Sequence, residues 1–374
     1  MYDISSHMQK GKVRLGIIGT GYAAKHRAEY FLKDERSELI AVSVGYSELQ
    51  PYREIPESPM ALLSMPPEPN IISGEKIERL KNFANRYNCI AEEKWQNLVT
   101  REDIDLIVIA SANYNHGAIA FAALSNNKHV IVEYPLCLDL VQAEEIINLA
   151  KSKNKFLHVE HIEVLGSLHK TIKQYLPQIG NIFYTRYSTI KPQDFAPKKW
   201  TYHHNFFGFP FMGALSRIHR LTDLFGKVVS VNSHQRYWLN QEPVKENNYQ
   251  NNYYQSCLCS AQICFNNGIL AELIYGKGET LWQKERKFAI HGENGGLFFD
   301  GDKGFLITNQ GKQVIELSPR KGLFAQDSKM VLDHLFNNVP LYITPEASLY
   351  ALKIADAARV SAETGMTQII NNYV

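Results

Sequence analysis

The sequence predicts two domains, an N-terminal α/β Rossmann dinucleotide-binding domain and a C-terminal α+β domain built on a large antiparallel β-sheet. Three observations carry this. From Arg14 to about His161, short apolar runs take turns with helical patterns, the rhythm of βαβ units around a parallel sheet. Beyond His161 the pattern changes to long β-rich runs divided by NNG, GENGG and GDKG turns, which mark antiparallel strands. The chain has 374 residues, more than one compact core usually serves.

Residues 1–12 are polar and lack the apolar stretch of a secretory leader, so they are expected to form a mobile tail. The Rossmann domain is placed at 13–160. Its strands and helices read, in order, RLGIIG, KHRAEYFL, LIAVSVGY, DLIVIAS, HGAIAFAALS, HVIVEY, AEEIINLAKS and FLHVEH. The near-continuous apolar strands suit a sheet covered on both faces. Pro51, Pro56, Pro59, Pro66, Pro67 and Pro69 break this rhythm. Proline fixes φ and lacks an N–H, so residues 47–74 read as a surface insertion before a helix that opens near Glu75.

The second domain is placed at 161–374. The runs IFYTRYSTI, VVSVNSHQRYWL, SCLCSAQICF, ILAELIYG, KFAIHG, GLFFDG and FLITN predict an antiparallel sheet of about six strands. A helix from about Phe211 to Phe225, stopped by Gly226, interrupts the strands. The stretch ASLYALKIADAARVSAETG supplies a closing helix.

Composition narrows the function classes. A 45% hydrophobic fraction with 21% charged residues excludes disorder for most of the chain. Lys+Arg 40 against Asp+Glu 38 leaves a formal +2, too little to point to nucleic acid or a membrane surface. No apolar run approaches the ~18 residues of a membrane span. Cys89, Cys137, Cys257, Cys259 and Cys264 are odd in number and thinly spread, which fits a reducing, cytoplasmic setting better than a disulfide framework. No feature fixes an oligomeric state.

The first strand runs into Gly19-Thr20-Gly21-Tyr22-Ala23-Ala24, a G-x-G-x-x-A at a strand-to-helix turn. Gly19 permits the turn, Gly21 lets a pyrophosphate approach the backbone, and Ala24 lets the helix pack closely with its first N–H groups toward the phosphates. Tyr22 and Ala23 lie at the same helix start. NAD sites usually end the second strand with an acidic residue that accepts from the ribose 2′-OH. Here the strand ends Ser43-Val44-Gly45-Tyr46-Ser47, which favours NADPH, with Ser43 and Ser47 as hydroxyl donors. NADH stays open, because Glu48 follows directly and Arg53 lies in the insertion.

The domain order, the run Ser111-Ala112-Asn113-Tyr114-Asn115-His116 and the tripeptide Glu133-Tyr134-Pro135 resemble the Gfo/Idh/MocA-type oxidoreductases. In that family a T-P-N-x-x-H run and a Glu-Lys-Pro tripeptide line the nicotinamide end of the cofactor. The resemblance implies cofactor contacts at Ser111, Asn113, His116, Glu133 and Tyr134. Polyol dehydrogenases of the family manage the hydroxyl proton with the tripeptide lysine and with an Asp and a His on a helix of the second domain. Those positions are Tyr134, Arg217 and Leu221 here. Losing every such group argues against alcohol oxidation, which needs a base near neutral pH.

The same departures resemble the biliverdin reductases within that family, the cyanobacterial form most of all. The likeness covers roughly Val13 to Ala362 apart from the insertion, on strings such as GTGYAAKHRAE, HVIVEYPL, HVEHIEVLG, ALSRIHRLTDLFG, ELIYGKGE and KGLFAQD. It implies an enzyme of heme degradation that uses NADPH to reduce the central methine bridge of a tetrapyrrole, biliverdin, to give bilirubin. Two alternatives stay open: another family oxidoreductase acting on a sugar or polyol, and a non-catalytic NADP-binding regulatory protein.

A bilin carries two propionates on a flat conjugated body, so its site should offer cations and an apolar or aromatic surface. Arg217 and Arg220, at i and i+3 of one predicted helix, can face the same way and grip carboxylates bidentately. Arg217 is a poor proton source because its pKa exceeds ~12; it suits propionate binding or stabilisation of developing negative charge. Tyr134 is a candidate proton donor or partner of a lactam oxygen, with an aromatic strand-end packing role as the alternative. On RYSTI, Arg186 shares a face with Ser188 and Ile190, opposite Tyr187 and Thr189. Alternation alone does not choose the ligand's face, and Arg236 and Trp200 are weaker candidates of the same kind. The run His158-Val159-Glu160-His161-Ile162-Glu163 lacks H-E-x-x-H spacing, and no metal is expected.

Overall fold

The computed structural model describes residues 11–45, 74–193, 199–239, 242–243 and 253–370. Ser47, the insertion up to residue 73 and most of the expected tail lie outside the described residues.

The chain opens with β1 (Val13–Ile18), α1 (Tyr22–Phe31), β2 (Ser37–Ser43), α2 (Gly74–Tyr87), β3 (Ile90–Glu92) and α3 (Trp95–Thr100). It continues through β4 (Leu106–Ile109), α4 (Asn113–Ser125), β5 (His129–Glu133), α5 (Leu140–Ser152) and β6 (Leu157–Glu160). Next come α6 (Ser167–Tyr175), β7 (Ile182–Lys191), two single-turn helices α7 (His204–Phe207) and α8 (Pro210–Gly213), and α9 (Ser216–Phe225). The strands β8 (Val228–Leu239), β9 (Glu242–Pro243), β10 (Ser256–Phe265), β11 (Leu270–Gly278) and β12 (Glu285–Gly292) follow. The rest is β13 (Gly295–Asp300), β14 (Lys303–Thr308), β15 (Gly311–Glu316), α10 (Leu323–Asn337), α11 (Pro345–Thr364) and β16 (Gln368–Ile369).

Two compact units result: Met1–Ile162 with Gly322–Leu349, and Glu163–Lys321 with Tyr350–Val374. In the first, six parallel strands lie in the order β3-β2-β1-β4-β5-β6. This is the doubly wound Rossmann order, whose ligand crevice opens at the carboxyl ends of β1 and β4, where the strand order reverses. Helix α1 buries Ala24, Arg27, Ala28 and Phe31, the i, i+3, i+4, i+7 stripe of a helix facing a core.

The expected second domain, 161–374, is interrupted, because Gly322–Leu349 packs with the first unit. The reason is a shared core: Val331, Leu332 and Leu335 of α10 join Leu15, Ala28, Phe31 and Val42 in one buried cluster. Helix α10 itself was not expected from the sequence.

Among the described residues the second unit holds a ten-stranded sheet, with the path β15-β14-β13-β12-β7-β11-β10-β8-β16 and β9 paired to β8. It is larger than the expected six strands, and its β7–β11 pair is parallel. Hairpin turns report only neighbours in sequence, so a pairing made after the chain has passed through α9, β8 and β10 leaves no local mark. The expected helix over 211–225 is two helices, α8 and α9. Gly213 packs against Phe207, whose ring would lie 2.5 Å from any Cβ added there, and Ala214 leaves helical geometry at φ −115, ψ 37. Gly226 ends α9 at φ +91 as expected.

Candidate functional site

In the first unit the carboxyl ends of β1, β2, β4 and β5 gather the cofactor candidates. Gly19 has φ +131, and a Cβ there would sit 2.2 Å from the Ala110 carbonyl oxygen, so the turn after β1 passes too close to the end of β4 for any side chain. A Cβ on Gly21 would meet nothing within 4 Å, which leaves the N-terminus of α1 open. No side chain caps that terminus. Open N–H groups at a helix N-terminus fit a pyrophosphate, and the turn therefore suits a dinucleotide. Tyr22 is 73% exposed beside it, edge-on to His26, and Ala23 is half-buried.

The remaining candidates divide. Ser43 is wholly buried and its hydroxyl donates to the Val44 carbonyl at 3.4 Å. That is a correction: a side chain closed off from the surface cannot meet a ribose phosphate in this conformation. Ser111 is half-buried at the end of β4, and Asn113 is buried in the first turn of α4. His116 lies deeper, with Nδ1 2.8 Å from the Pro135 carbonyl oxygen and Nε2 3.1 Å from that of Ser111. It ties the ends of β4 and β5 together, and burial lowers its pKa. Expected as a cofactor contact, it is instead 1% exposed, with both ring nitrogens at backbone carbonyls.

Glu133 ends β5 and accepts from the Arg27 Nε at 3.0 Å. Arg27, fully buried, also donates to Asp327 and to Ser328 Oγ at 2.9 Å. Asp327 accepts from Tyr342 at 2.6 Å and lies 2.8 Å from His158 Nε2. Burial would raise the Asp327 carboxyl, but Arg27 and His158 hold it below its ordinary range. Beside Glu133 in register lies Glu160, which burial and then the Glu133 charge push well above the usual carboxylate range. Next in the chain, Tyr134 stacks on His161 with centroids 5.3 Å apart and planes at 16°. His161 in turn lies 2.9 Å from Ser348 Oγ. Thus the run 158–163 supplies architecture at His158, Glu160 and His161.

In the second unit, the register of β12, β7, β11 and β10 aligns Arg286, Thr189, Tyr275 and Cys259 on one face of the sheet. The neighbouring Tyr187, Lys191 and Lys277 share that face by alternation. Helix α9 covers it: the Arg217 guanidinium lies 4.7 Å from the Tyr275 ring centroid, and Arg220 donates to the Tyr187 hydroxyl at 2.9 Å. Arg186 and Arg236 fall on the opposite face. Alternation left the face undecided; α9 packs on the Tyr187 face, opposite Arg186.

Two substrate-binding expectations change as a result. Arg186, its side chain 54% exposed, pairs with Glu272 at 3.7 Å across the sheet from Arg217, so the two cannot hold one ligand. Arg220 is only 2% exposed, and its two terminal nitrogens donate to Tyr187 and to both the carbonyl (2.9 Å) and the carboxylate (3.3 Å) of Glu163. The i, i+3 spacing is right, but Arg220 turns into the core while Arg217 stays half-buried at its edge.

Around Arg217 the structure adds residues that sequence reasoning missed: Lys191, Glu163, Tyr275, Lys277, Arg286 and Arg320. Burial alone would raise the Glu163 carboxyl, but Arg220, Arg320, Arg217 and Arg286 hold it below its ordinary value. Arg320 pairs with it directly, while Arg286 also meets Asp302 at 3.2 Å. Lys277, buried, donates to the Thr201 carbonyl and sits 3.8 Å from the Phe207 ring centroid. Desolvation, with Lys191 and Arg217 nearby, pushes its ammonium down to about 8. Lys191 reaches solvent at the strand end, yet surrounding protein and then Arg217 lower it to about 8 as well. The available signal was the two-residue spacing Tyr275-x-Lys277 and Thr189-x-Lys191, which puts ring, hydroxyl and cations on one face.

A Rossmann unit with a glycine turn open to a pyrophosphate, joined in one chain to a sheet unit with a cationic, aromatic-backed face, defines a nucleotide-dependent oxidoreductase. The oxidoreductase-family model for the NAD-binding Rossmann fold matches residues 13–161, and the model for the C-terminal alpha/beta domain matches 173–369; the chain belongs to the Gfo/Idh/MocA oxidoreductase family. It is 44% identical to the biliverdin reductase of Synechocystis sp. PCC 6803, solved with biliverdin and NADP+, over 93% of this chain and 98% of that one, with a TM-score of 0.80. Biliverdin reductase A of Mus musculus is 23% identical over 65% of this chain and 70% of its own length. The UDP-N-acetylglucosamine 3-dehydrogenase of Acidithiobacillus ferrooxidans, 18% identical with a TM-score of 0.70 over 94% of this chain and 98% of its own, shares the fold. Among the described residues no helix is long and apolar enough to cross a membrane.

Proposed function

We propose that this protein is an NADPH-dependent biliverdin reductase of the cytoplasm, reducing the central methine bridge of biliverdin to give bilirubin. The observation that carries the reading is that, among the described residues, cations outnumber carboxylates on the α9-covered face of the second unit. Lys191, Arg217, Lys277, Arg286 and Arg320 lie there with Glu163, itself already held by Arg220 and Arg320. Cations in excess of their carboxylates, backed by the Tyr275 and Tyr187 rings, suit a flat ligand bearing two carboxylates.

Within this reading the Gly19–Gly21 turn and the start of α1 hold the pyrophosphate, and Ser111 and Glu133 border the nicotinamide end with Asn113 buried in the first turn of α4. The bound nicotinamide supplies a hydride. Arg217 binds a propionate or stabilises negative charge that develops on the bilin, and Tyr134, steadied by His161, offers its hydroxyl to a lactam oxygen. Preference for NADPH is supported by the absence of an acid from Ser43 to Ser47 and by the NADP+ in the Synechocystis relative. Glu163, ionised and paired, is a weak base, which disfavours alcohol oxidation at this face.

The test is to mix the protein with biliverdin and NADPH anaerobically and follow the visible spectrum. Replacement of the biliverdin bands by the bilirubin band is expected. An unchanged spectrum, with NADPH binding shown separately, would overturn the reading.

A further inference from the structure

We propose that Lys191, at the end of β7, is the proton donor of this reduction, with Arg217 beside it as the fixed cation that holds and polarises the bilin. The inference rests on the reading above and deepens it. Reduction of the methine bridge adds a hydride at the bridging carbon and a proton at a pyrrole nitrogen. The hydride and its two electrons come from the reduced nicotinamide. The proton needs a group on the ligand's face that is charged at neutral pH, able to let its proton go, and refilled from water.

Among the described residues, the cluster on the α9-covered face offers few such groups. Arg217, Arg286 and Arg320 do not release protons near neutral pH. Glu163 is held ionised by Arg220, Arg320, Arg217 and Arg286, so it has no proton to give. Lys277 is only 4% exposed and donates to the Thr201 carbonyl from among the Phe207, Tyr202 and Tyr254 rings, a structural post closed to solvent. Lys191 pairs with Lys277 in register on the same face but reaches solvent.

The charged groups that bear on Lys191 come from several elements: Arg217 from α9, Glu163 from the turn after β6, Arg320 from the segment before α10, Arg286 from β12 and Lys277 from β11. Desolvation by the surrounding protein, and then Arg217, lower the ammonium to about 8, and the cations among the described residues act in the same direction. In the step, a Lys191 Nζ–H bond breaks as the pyrrole N–H bond forms. The neutral amine that remains takes its next proton from water.

The experiment compares wild type, Lys191→Met and Lys191→Arg in single-turnover reduction of biliverdin by NADPH from pH 6 to 10. Nicotinamide fluorescence reports NADPH binding, and titration of biliverdin in the presence of NADP+ reports substrate binding without turnover. The wild-type rate should fall above a pH of about 8. Lys191→Met should lose about 10²-fold or more of the rate near neutral pH, and Lys191→Arg should lose nearly as much while keeping biliverdin affinity within about threefold. If Lys191→Arg restores the rate, or if Lys191→Met weakens biliverdin binding while leaving the single-turnover rate and its alkaline limb intact, Lys191 is a carboxylate holder and the proposal fails. Should Lys191→Met not fold, Lys191→Arg decides alone. A wild type that never converts biliverdin defeats the parent reading and this one together, an outcome distinct from failure of the variants.

Discussion

Each unit buries arginine among charged neighbours, and the two do it in opposite ways. Arg27, in the first, is enclosed with Asp327 and Glu133, and Asp327 is further met by His158 and Tyr342. Charge is compensated there and the polar groups interlock, so the cluster welds α1, α10 and the sheet edge into one body. Among the described residues the second unit's face carries Arg217, Lys191, Lys277, Arg286 and Arg320 with Glu163 and Asp302, and desolvation with neighbouring cations there lowers both lysines. A cluster closed by its own carboxylates holds a fold; one whose described cations outnumber its described carboxylates suits an anion. Positive charge at both places has similar chemistry, and its bookkeeping of partners separates architecture from site.

The largest effect expected from this contrast is on stability in the first unit. Asp327→Ala leaves Arg27 buried beside an emptied position and should cost about 3–5 kcal/mol, seen as a lower urea midpoint. A loss below about 1 kcal/mol would mean that the Arg27 cluster is as dispensable as surface charge. Arg217→Ala in the second unit should do the reverse, lowering turnover by about 10²–10³-fold with NADPH affinity and the urea midpoint nearly unchanged. An equal loss of turnover and NADPH binding would sink its assigned role. The smallest effect belongs to Arg186→Ala, on the far face with its exposed Glu272 pair, where a change under about twofold in biliverdin KM is expected. A tenfold rise would show that the opposite face meets the ligand.

Much of this is legible in the sequence. The Gly19-x-Gly21 turn, the alternation of strand and helix up to Glu160, and the end of α9 at Gly226 follow from local geometry that a short stretch of sequence encodes. Helix α10 was not legible, because its buried stripe carries Asp327 and Ser328 beside Val331, Leu332 and Leu335, and an apolar-period search passes over a stripe whose polar members are satisfied by Arg27 from the far end of the chain. The same distance hid the cation cluster. Lys191 and Lys277 are separated by long stretches of sequence and meet through the parallel β7–β11 pairing, which no turn announces. Arg217 and Arg220 were correctly placed on one helix, yet only packing against Tyr187 and Glu163 shows which of them is spent on the fold.

The central claim is that the cation-rich face of the second unit receives the substrate's two carboxylates. It is tested most directly by titrating the protein, with NADP+ present, against biliverdin and against its dimethyl ester, which has the same conjugated body without the charges. The account predicts that the ester binds at least about 10²-fold more weakly to wild type, two charge-assisted contacts being worth about 1.5–3 kcal/mol each, and that Arg217→Ala narrows the gap. Equal affinity for acid and ester in the wild type would contradict it.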